Sequence, residues 1–187
     1  MEFVEPIRDI SKIKKMKAIL RQTSERDLLL FVLGINTGIK ISDLLELTVK
    51  EVWDGEKVRE FLILKDSKTK VEKAYYLNNS VSQLLQSYLR GGDFQPEDYL
   101  FKSKKNNLPI SRQQAYRIIN RAAREAGIPG RIGTHTLRKT FGYHAFRKGV
   151  AISILMNIFN HHSRKETLNY IGVQEEEQQL IRVDVNL

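Results

Sequence analysis

The sequence predicts a mainly α-helical α+β domain with a small antiparallel sheet, and three observations predict it. Apolar residues recur at helical spacing through most of the chain, with Ser or Thr ahead of several runs and Gly behind them. One stretch, around the lysine-rich segment Lys65 to Lys70, switches to the alternation of paired strands. At 187 residues and 41% hydrophobic content, the chain is long enough for one sizeable core and too short for two full domains.

The first element is a short helix over Ser11 to Leu20, where Ile13, Met16, Ile19 and Leu20 keep helical spacing among lysines. Residues 1–23 thus read as a short basic helical segment ahead of the core. Ser24 is placed to cap a second helix, with Asp27 three positions on. Leu28 to Ile35 is apolar on nearly all sides, so this helix belongs at the centre, and Gly38 ends it near Thr37. Ser42 is expected to cap a short helix through Leu47. Phe61 and Ile63, then Val71, Ala74 and Tyr76, predict two strands joined by a lysine-rich tip.

From Ser80, the spacing of Val81, Leu84, Leu85 and Leu89 returns to helix, closed by Gly91 and Gly92, and a loop leads to a short Tyr99 to Phe101 segment. Ser111 caps a helix to about Ala126, after which Gly127, Pro129 and Gly130 break the chain. Thr134 is expected to cap a helix through about Lys148. Ile152 to Phe159 and Arg164 to Tyr170 follow as shorter helices. In the tail, Ile181, Val183, Val185 and Leu187 alternate with Arg182, Asp184 and Asn186, the pattern of a strand with one apolar face.

Charge narrows the function classes. Lysine and arginine outnumber aspartate and glutamate by 31 to 22, for a formal net charge of +9 and a pI near 9.7, which points to a polyanionic partner such as nucleic acid. There is no cysteine, so disulfides, thiolate metal sites and thiol nucleophiles are excluded. The start MEFVEPIRDI lacks the basic and apolar pattern of a signal peptide, and no apolar run approaches bilayer-spanning length. A soluble, cytoplasmic, nucleoid-associated protein is the expectation.

Gly133-Thr134-His135-Thr136-Leu137-Arg138 is the most informative stretch. A helix start places His135 and Arg138 three apart on one face, beside backbone N–H groups that favour an anion. Alone, a His-x-x-Arg is common by chance and ordinarily means a surface pair. Downstream, Phe159-Asn160-His161 ends a helix and Tyr170 follows nine positions after His161. A lone tyrosine beside Leu168 and Ile171 is ordinarily a packed aromatic.

The order of these pieces resembles the tyrosine recombinase, or phage integrase, family, from about Ser24 to Val173. That family's pattern is an Arg after a Thr-Gly turn, a Lys in a hairpin, His-x-x-Arg, a Leu-Gly-His-like triplet and a Tyr. The matching residues here are Asn36 to Leu45 with Lys40, hairpin Lys68, His135 with Arg138, Phe159-Asn160-His161, and Tyr170. The resemblance implies a catalytic-domain fold and a reaction in which Tyr170 attacks a scissile phosphate, releases a 5′-hydroxyl and leaves a 3′-phosphotyrosine. It implies no cofactor and no metal, positive side chains supplying the charge stabilisation.

In that scheme, Arg138 grips the non-bridging oxygens, His135 and His161 donate hydrogen bonds or move protons, and Lys68 protonates the leaving oxygen from the minor groove. Lys65 and Lys70 flank Lys68, and His162 competes with His161, which holds the third place of the triplet. Lys40 departs from the pattern. It stands where the family has its first catalytic arginine, and an ammonium keeps the charge but loses the bidentate fork, an exchange worth up to about 3 kcal/mol.

The usual N-terminal DNA-clamping domain has no counterpart ahead of the core, so a naturally minimal member is expected, with an accessory DNA-binding protein as a possible partner. The resemblance further implies double-stranded DNA as partner and four protomers in the active complex. The tail from 174 to 187 is suited either to docking on a neighbouring protomer or to packing on its own domain. A different class of function is a DNA-binding regulator that keeps the fold and has lost useful catalysis through Lys40.

Overall fold

The computed structural model describes residues 4–66, 70–130 and 132–173. Its elements are α1 (Ile10–Thr23), α2 (Glu25–Thr37), α3 (Ile41–Leu45), α4 (Val49–Val52), β1 (Phe61–Lys65), β2 (Glu72–Tyr76), α5 (Asn79–Arg90), α6 (Arg112–Glu125), α7 (Thr134–Arg147), α8 (Ile152–Phe159) and α9 (Arg164–Ile171). The fold is the predicted α+β type, helices with one two-stranded antiparallel sheet. Among the described residues, no helix is long and apolar enough to cross a membrane.

Helix α2 is central for the reason its composition dictates. Every residue from Leu28 to Gly34 is buried, and α1, α5 and α7 pack around it. The basic segment at the start is no detached arm, because Ile13, Met16 and Leu20 of α1 enter this same core while the lysines stay outside. A second, smaller apolar cluster of Leu155, Phe159, Leu168, Ile171 and Val173 joins α7, α8 and α9. The main core therefore fixes α2 and α7, and the satellite cluster fixes the two helices that follow them.

The helix ends show where local signals suffice. Ser24 caps α2 by accepting from the Asp27 N–H, and Gly38 closes it at φ 67°. Ser42, however, does not cap α3. Lys40 occupies the cap position, and the Ser42 hydroxyl, in the first turn, donates to Asp43 Oδ1 at 3.1 Å. That helix stops at Leu45 rather than Leu47, since Thr48 opens α4. There Glu51 Oε2 accepts from the Thr48 N–H at 2.7 Å and from its hydroxyl at 2.8 Å, both from a Thr-x-x-Glu spacing. Likewise Gly133, not Thr134, caps α7, its N–H donating to Thr136 Oγ1 at 3.1 Å.

The hairpin pairs Phe61 with Tyr76 through to Lys65 with Glu72. The residues that signalled it in the sequence lie on its outer face: Phe61, Ile63 and Tyr76 are exposed, while Leu62, Leu64, Lys73 and Tyr75 turn inward. Asp66 N–H donates to the Val71 carbonyl and Lys70 N–H to the Asp66 carbonyl, both at 2.9 Å, closing the base of the tip. Lys68 at that tip and the strand proposed for Ile181 to Leu187 both lie outside the described residues.

Gly38 carries a prediction. Its positive φ costs an L side chain about 1–2 kcal/mol, and a Cβ there would overlap the Phe141 ring of α7, adding an overpacking cost of about 1–3 kcal/mol. Gly38→Ala is expected to lose about 3 kcal/mol of stability in urea denaturation.

Candidate active site

Four separate segments deliver side chains to one cavity of about 190 Å³: the α2–α3 turn with Lys40, the first turns of α7 with Thr134, His135 and Arg138, the end of α8 with Phe159 and His161, and α9 with Tyr170. Arg112, from a fifth segment at the start of α6, and Ile41 and Ser42 of α3 complete the wall. Of the predicted residues, Tyr170, Arg138, His135, His161 and Lys40 are brought together, and Lys68 lies outside the described residues.

Arg138 is buried, and its guanidinium is held from three sides. It donates to the Gly38 carbonyl, donates through Nη2 to the Ile158 carbonyl at 2.9 Å, and lies 4.8 Å above the Phe159 ring. Both carbonyls stand at helix C-terminal ends, where the dipole is negative, so a cation is favoured there. The position of the fork is thus set by α2 and α8, not by the helix that carries it.

The end of α8 turns on Asn160, which is left-handed at φ 60°, the conformation a glycine would adopt freely and asparagine tolerates. Its side chain is engaged: Nδ2 donates to Asp66 Oδ2 at 2.9 Å, and Oδ1 accepts from Lys73 Nζ. The turn presents His161 to the cavity. His161 Nδ1 pairs with Thr167 Oγ1 at 3.0 Å, which orients the ring, and its face meets Tyr170 edge-on at 5.0 Å. His162, in contrast, is exposed, and its backbone N–H donates to Glu166 Oε2 at 2.9 Å.

Tyr170 packs against Phe159 at 5.2 Å, and the Lys139 ammonium lies 5.2 Å from its ring centre. Burial pushes its phenol above the ordinary value, with Arg138 pulling the other way. It is therefore a protonated phenol at neutral pH, and a proton must leave when the oxygen reacts.

Burial lowers both His135 and His161. Arg112, Lys139 and Arg138 push His135 further down, while Glu166 partly offsets the shift of His161. Both are neutral imidazoles at pH 7. The sign for stability follows from linkage. A histidine whose folded pKa lies below its unfolded value near 6.5 favours the native state when neutral, and that contribution is lost as pH falls from about 6.5 through the folded pKa. His161→Gln should therefore flatten the decline of the urea midpoint between pH 7 and 5.

The sequence reading missed several groups. Lys73 sits on the inner face of β2, opposite Leu64, and its ammonium reaches the Asn157 carbonyl at 2.5 Å as well as Asn160. Asp66 receives Lys40 Nζ at 2.9 Å. A lysine on the inward side of the alternation was a usable signal for the first; the second pairing joins residues 26 positions apart and leaves no local pattern.

A half-buried tyrosine, a fixed arginine fork and two neutral histidines around one cavity, on this helical scaffold, define the catalytic-domain class of the tyrosine recombinases. The phage integrase family model matches residues 9–177, and the chain belongs to that family. It is similar to "Probable integrase/recombinase YoeC" of Bacillus subtilis (strain 168), 42% identical over 176 residues that cover 94% of this chain and 93% of that protein. It is also similar to "Tyrosine recombinase" of Pseudothermotoga lettingae, 29% identical over 154 residues, 82% of this chain and 52% of that one. The crystal structure of XerA recombinase superposes with a TM-score of 0.75 at 21% identity, covering 94% of this chain and 63% of that chain. The chain spans nearly all of the Bacillus relative and about half of the Pseudothermotoga one. Its kind is site-specific DNA recombination.

Proposed function

We propose that this chain is a single catalytic domain that cleaves and rejoins double-stranded DNA through Tyr170. The observation that carries this reading is the convergence of Tyr170, Arg138, His135 and His161 on one cavity from α7, α9 and the turn that follows α8. The Tyr170 oxygen attacks phosphorus, the bond to the 5′ oxygen breaks, and the leaving oxygen takes a proton to become a 5′-hydroxyl. The phosphotyrosine keeps the bond energy, so attack by a 5′-hydroxyl reseals the strand. Arg138 stabilises charge on the non-bridging oxygens, and the histidines donate to them or accept the phenol proton. Lys68 is the donor assigned to the leaving oxygen.

Duplex binding is supported by an open groove of about 570 Å³ that Arg117, Arg121 and Arg124 of α6 and Arg26 of α2 line together with Asp27, and by Arg112, at the start of α6, in the cavity wall. Cations in such an array bind phosphates with counterion release, so affinity should fall steeply with salt. Paired exchange of two duplexes calls for four protomers on DNA, with residues 174–187 as a contact between them and an accessory DNA-binding protein assisting. A nucleoid-associated place in the cytoplasm suits that partner.

Lys40 lines the cavity but donates to Asp66, which leaves part of its charge satisfied within the protein. Lys40→Arg is expected to speed strand cleavage about tenfold, within the hundredfold scale of one transition-state donor. A lysine in place of the first arginine also favours the second reading, a DNA-binding regulator with little catalysis. The deciding experiment incubates wild type, Lys40→Arg and Tyr170→Phe with sheared DNA of the source genome, then denatures with detergent and sequences the DNA left covalently bound. An adduct in wild type that Tyr170→Phe abolishes supports the recombinase. Salt-sensitive DNA binding with no adduct in any variant supports the regulator.

A further inference from the structure

Asp66 is a buried carboxylate bonded to Lys40, which lines the cavity read as a phosphate site, so its charge opposes an incoming phosphodiester. Its partners explain what it does there. Oδ2 accepts from Lys40 Nζ and from Asn160 Nδ2, both at 2.9 Å. Its own backbone closes the hairpin base through Val71 and Lys70. Asn160 is in turn held by Lys73, whose ammonium is anchored on the carbonyl end of α8. The carboxylate is thus fixed by β1, by the hairpin closure and by the α8 corner before Lys40 reaches it.

Lysine at this place needs such a partner. An arginine carries its directionality in a planar fork, whereas an ammonium is a point charge on a flexible stem with three equivalent donors. A single hydrogen bond to a fixed carboxylate determines where that stem lies and leaves two N–H groups for other acceptors. We propose that Asp66 is a positioning residue for strand cleavage, holding Lys40 so that its remaining donors meet the scissile phosphate. The inference rests on the reading of this cavity as a phosphodiester-cleaving site. It adds a residue, outside the family motif quoted above, whose role is tied to the lysine that replaces the first arginine.

The test uses the full chain and the duplex recovered as covalent adduct, synthesised with a nick beside the cleavage point so that the released 5′-hydroxyl fragment diffuses away and the adduct accumulates. Single-turnover adduct formation and DNA affinity are measured for wild type, Asp66→Asn, Asp66→Glu, Lys40→Ala and Lys40→Ala/Asp66→Asn. Asp66→Asn should slow adduct formation about tenfold while DNA binds as well or better, since a negative charge has gone; a purely structural lesion would weaken both together. Asp66→Glu, which keeps the charge but moves it, should fall between. The tenfold effect should shrink to less than twofold in the Lys40→Ala background, because nothing is left to position. Asp66→Asn at or above the wild-type rate, or an undiminished penalty without Lys40, overturns the inference alone. A wild type that binds DNA but yields no adduct in the genomic incubation overturns the cleavage reading, and this inference with it.

Discussion

Tyr170→Phe should abolish covalent attachment to DNA, lowering adduct formation at least about a thousandfold, roughly 4 kcal/mol in activation free energy, while folding and DNA affinity stay close to wild type. The change removes one oxygen and leaves the ring, whose contacts with Phe159, His161 and the Lys139 ammonium are contacts of the ring itself. The packing loss is therefore small, and a change in unfolding free energy of more than about 1 kcal/mol in urea would be out of proportion to it. The adduct is read by gel shift after detergent denaturation. Ser42 and Thr134 also bring hydroxyls to the cavity wall, so an adduct that survives in the phenylalanine variant would move the nucleophile to one of them and sink the assignment of Tyr170. The buried, protonated phenol adds a pH signature: adduct formation should need a neutral histidine and slow only below the ordinary imidazole value of about 6.5, as protonation removes the acceptor.

Arg138→Ala is the second large effect, and it has two parts. Loss of the donor to the phosphate should slow adduct formation about a hundredfold to a thousandfold, the usual scale for one preorganised donor. The same change strips the Gly38 and Ile158 carbonyls of their partner and leaves a gap over the Phe159 ring. An unsatisfied buried acceptor costs about 1–3 kcal/mol, and water entering the gap recovers part of that, so a stability loss of about 2 kcal/mol is expected in urea. Arg138→Lys separates the parts. It restores a cation without the fork, so stability should recover more than activity. A variant without Arg138 that cleaves at the wild-type rate would remove this residue from the mechanism.

How much of the site was legible depended on how local each signal was. Arg138 and His135 come from one helical turn, and their shared face is a property of 3.6-residue periodicity that any helix start at Gly133 imposes. The preference for His161 over His162 was legible only through the resemblance; after the left-handed turn at Asn160, the first histidine lines the cavity and the second is exposed. Arg112 gave no sign, because an arginine just inside a capped, basic helix looks like solvated charge. Lys40 was recognised as the odd residue of the motif, but its pairing with Asp66 was not visible.

The sequence by itself determined the α+β class, the central apolar α2, most helix ends, the hairpin and the membership signalled by widely spaced motif residues. These are consequences of short-range rules: side-chain period, capping chemistry and the glycine at φ 67°. Only the tertiary structure decided which faces meet. It turned Leu62, Leu64, Lys73 and Tyr75 of the hairpin inward, drew the Arg138 fork onto carbonyls 100 and 20 positions away, and seated Lys40 on Asp66. Each of those contacts depends on the relative placement of elements held by two separate apolar clusters. Periodicity records which side of an element is apolar, whereas the hydrogen-bond partner of a charged group is set by the element that packing happens to bring within 3 Å of it.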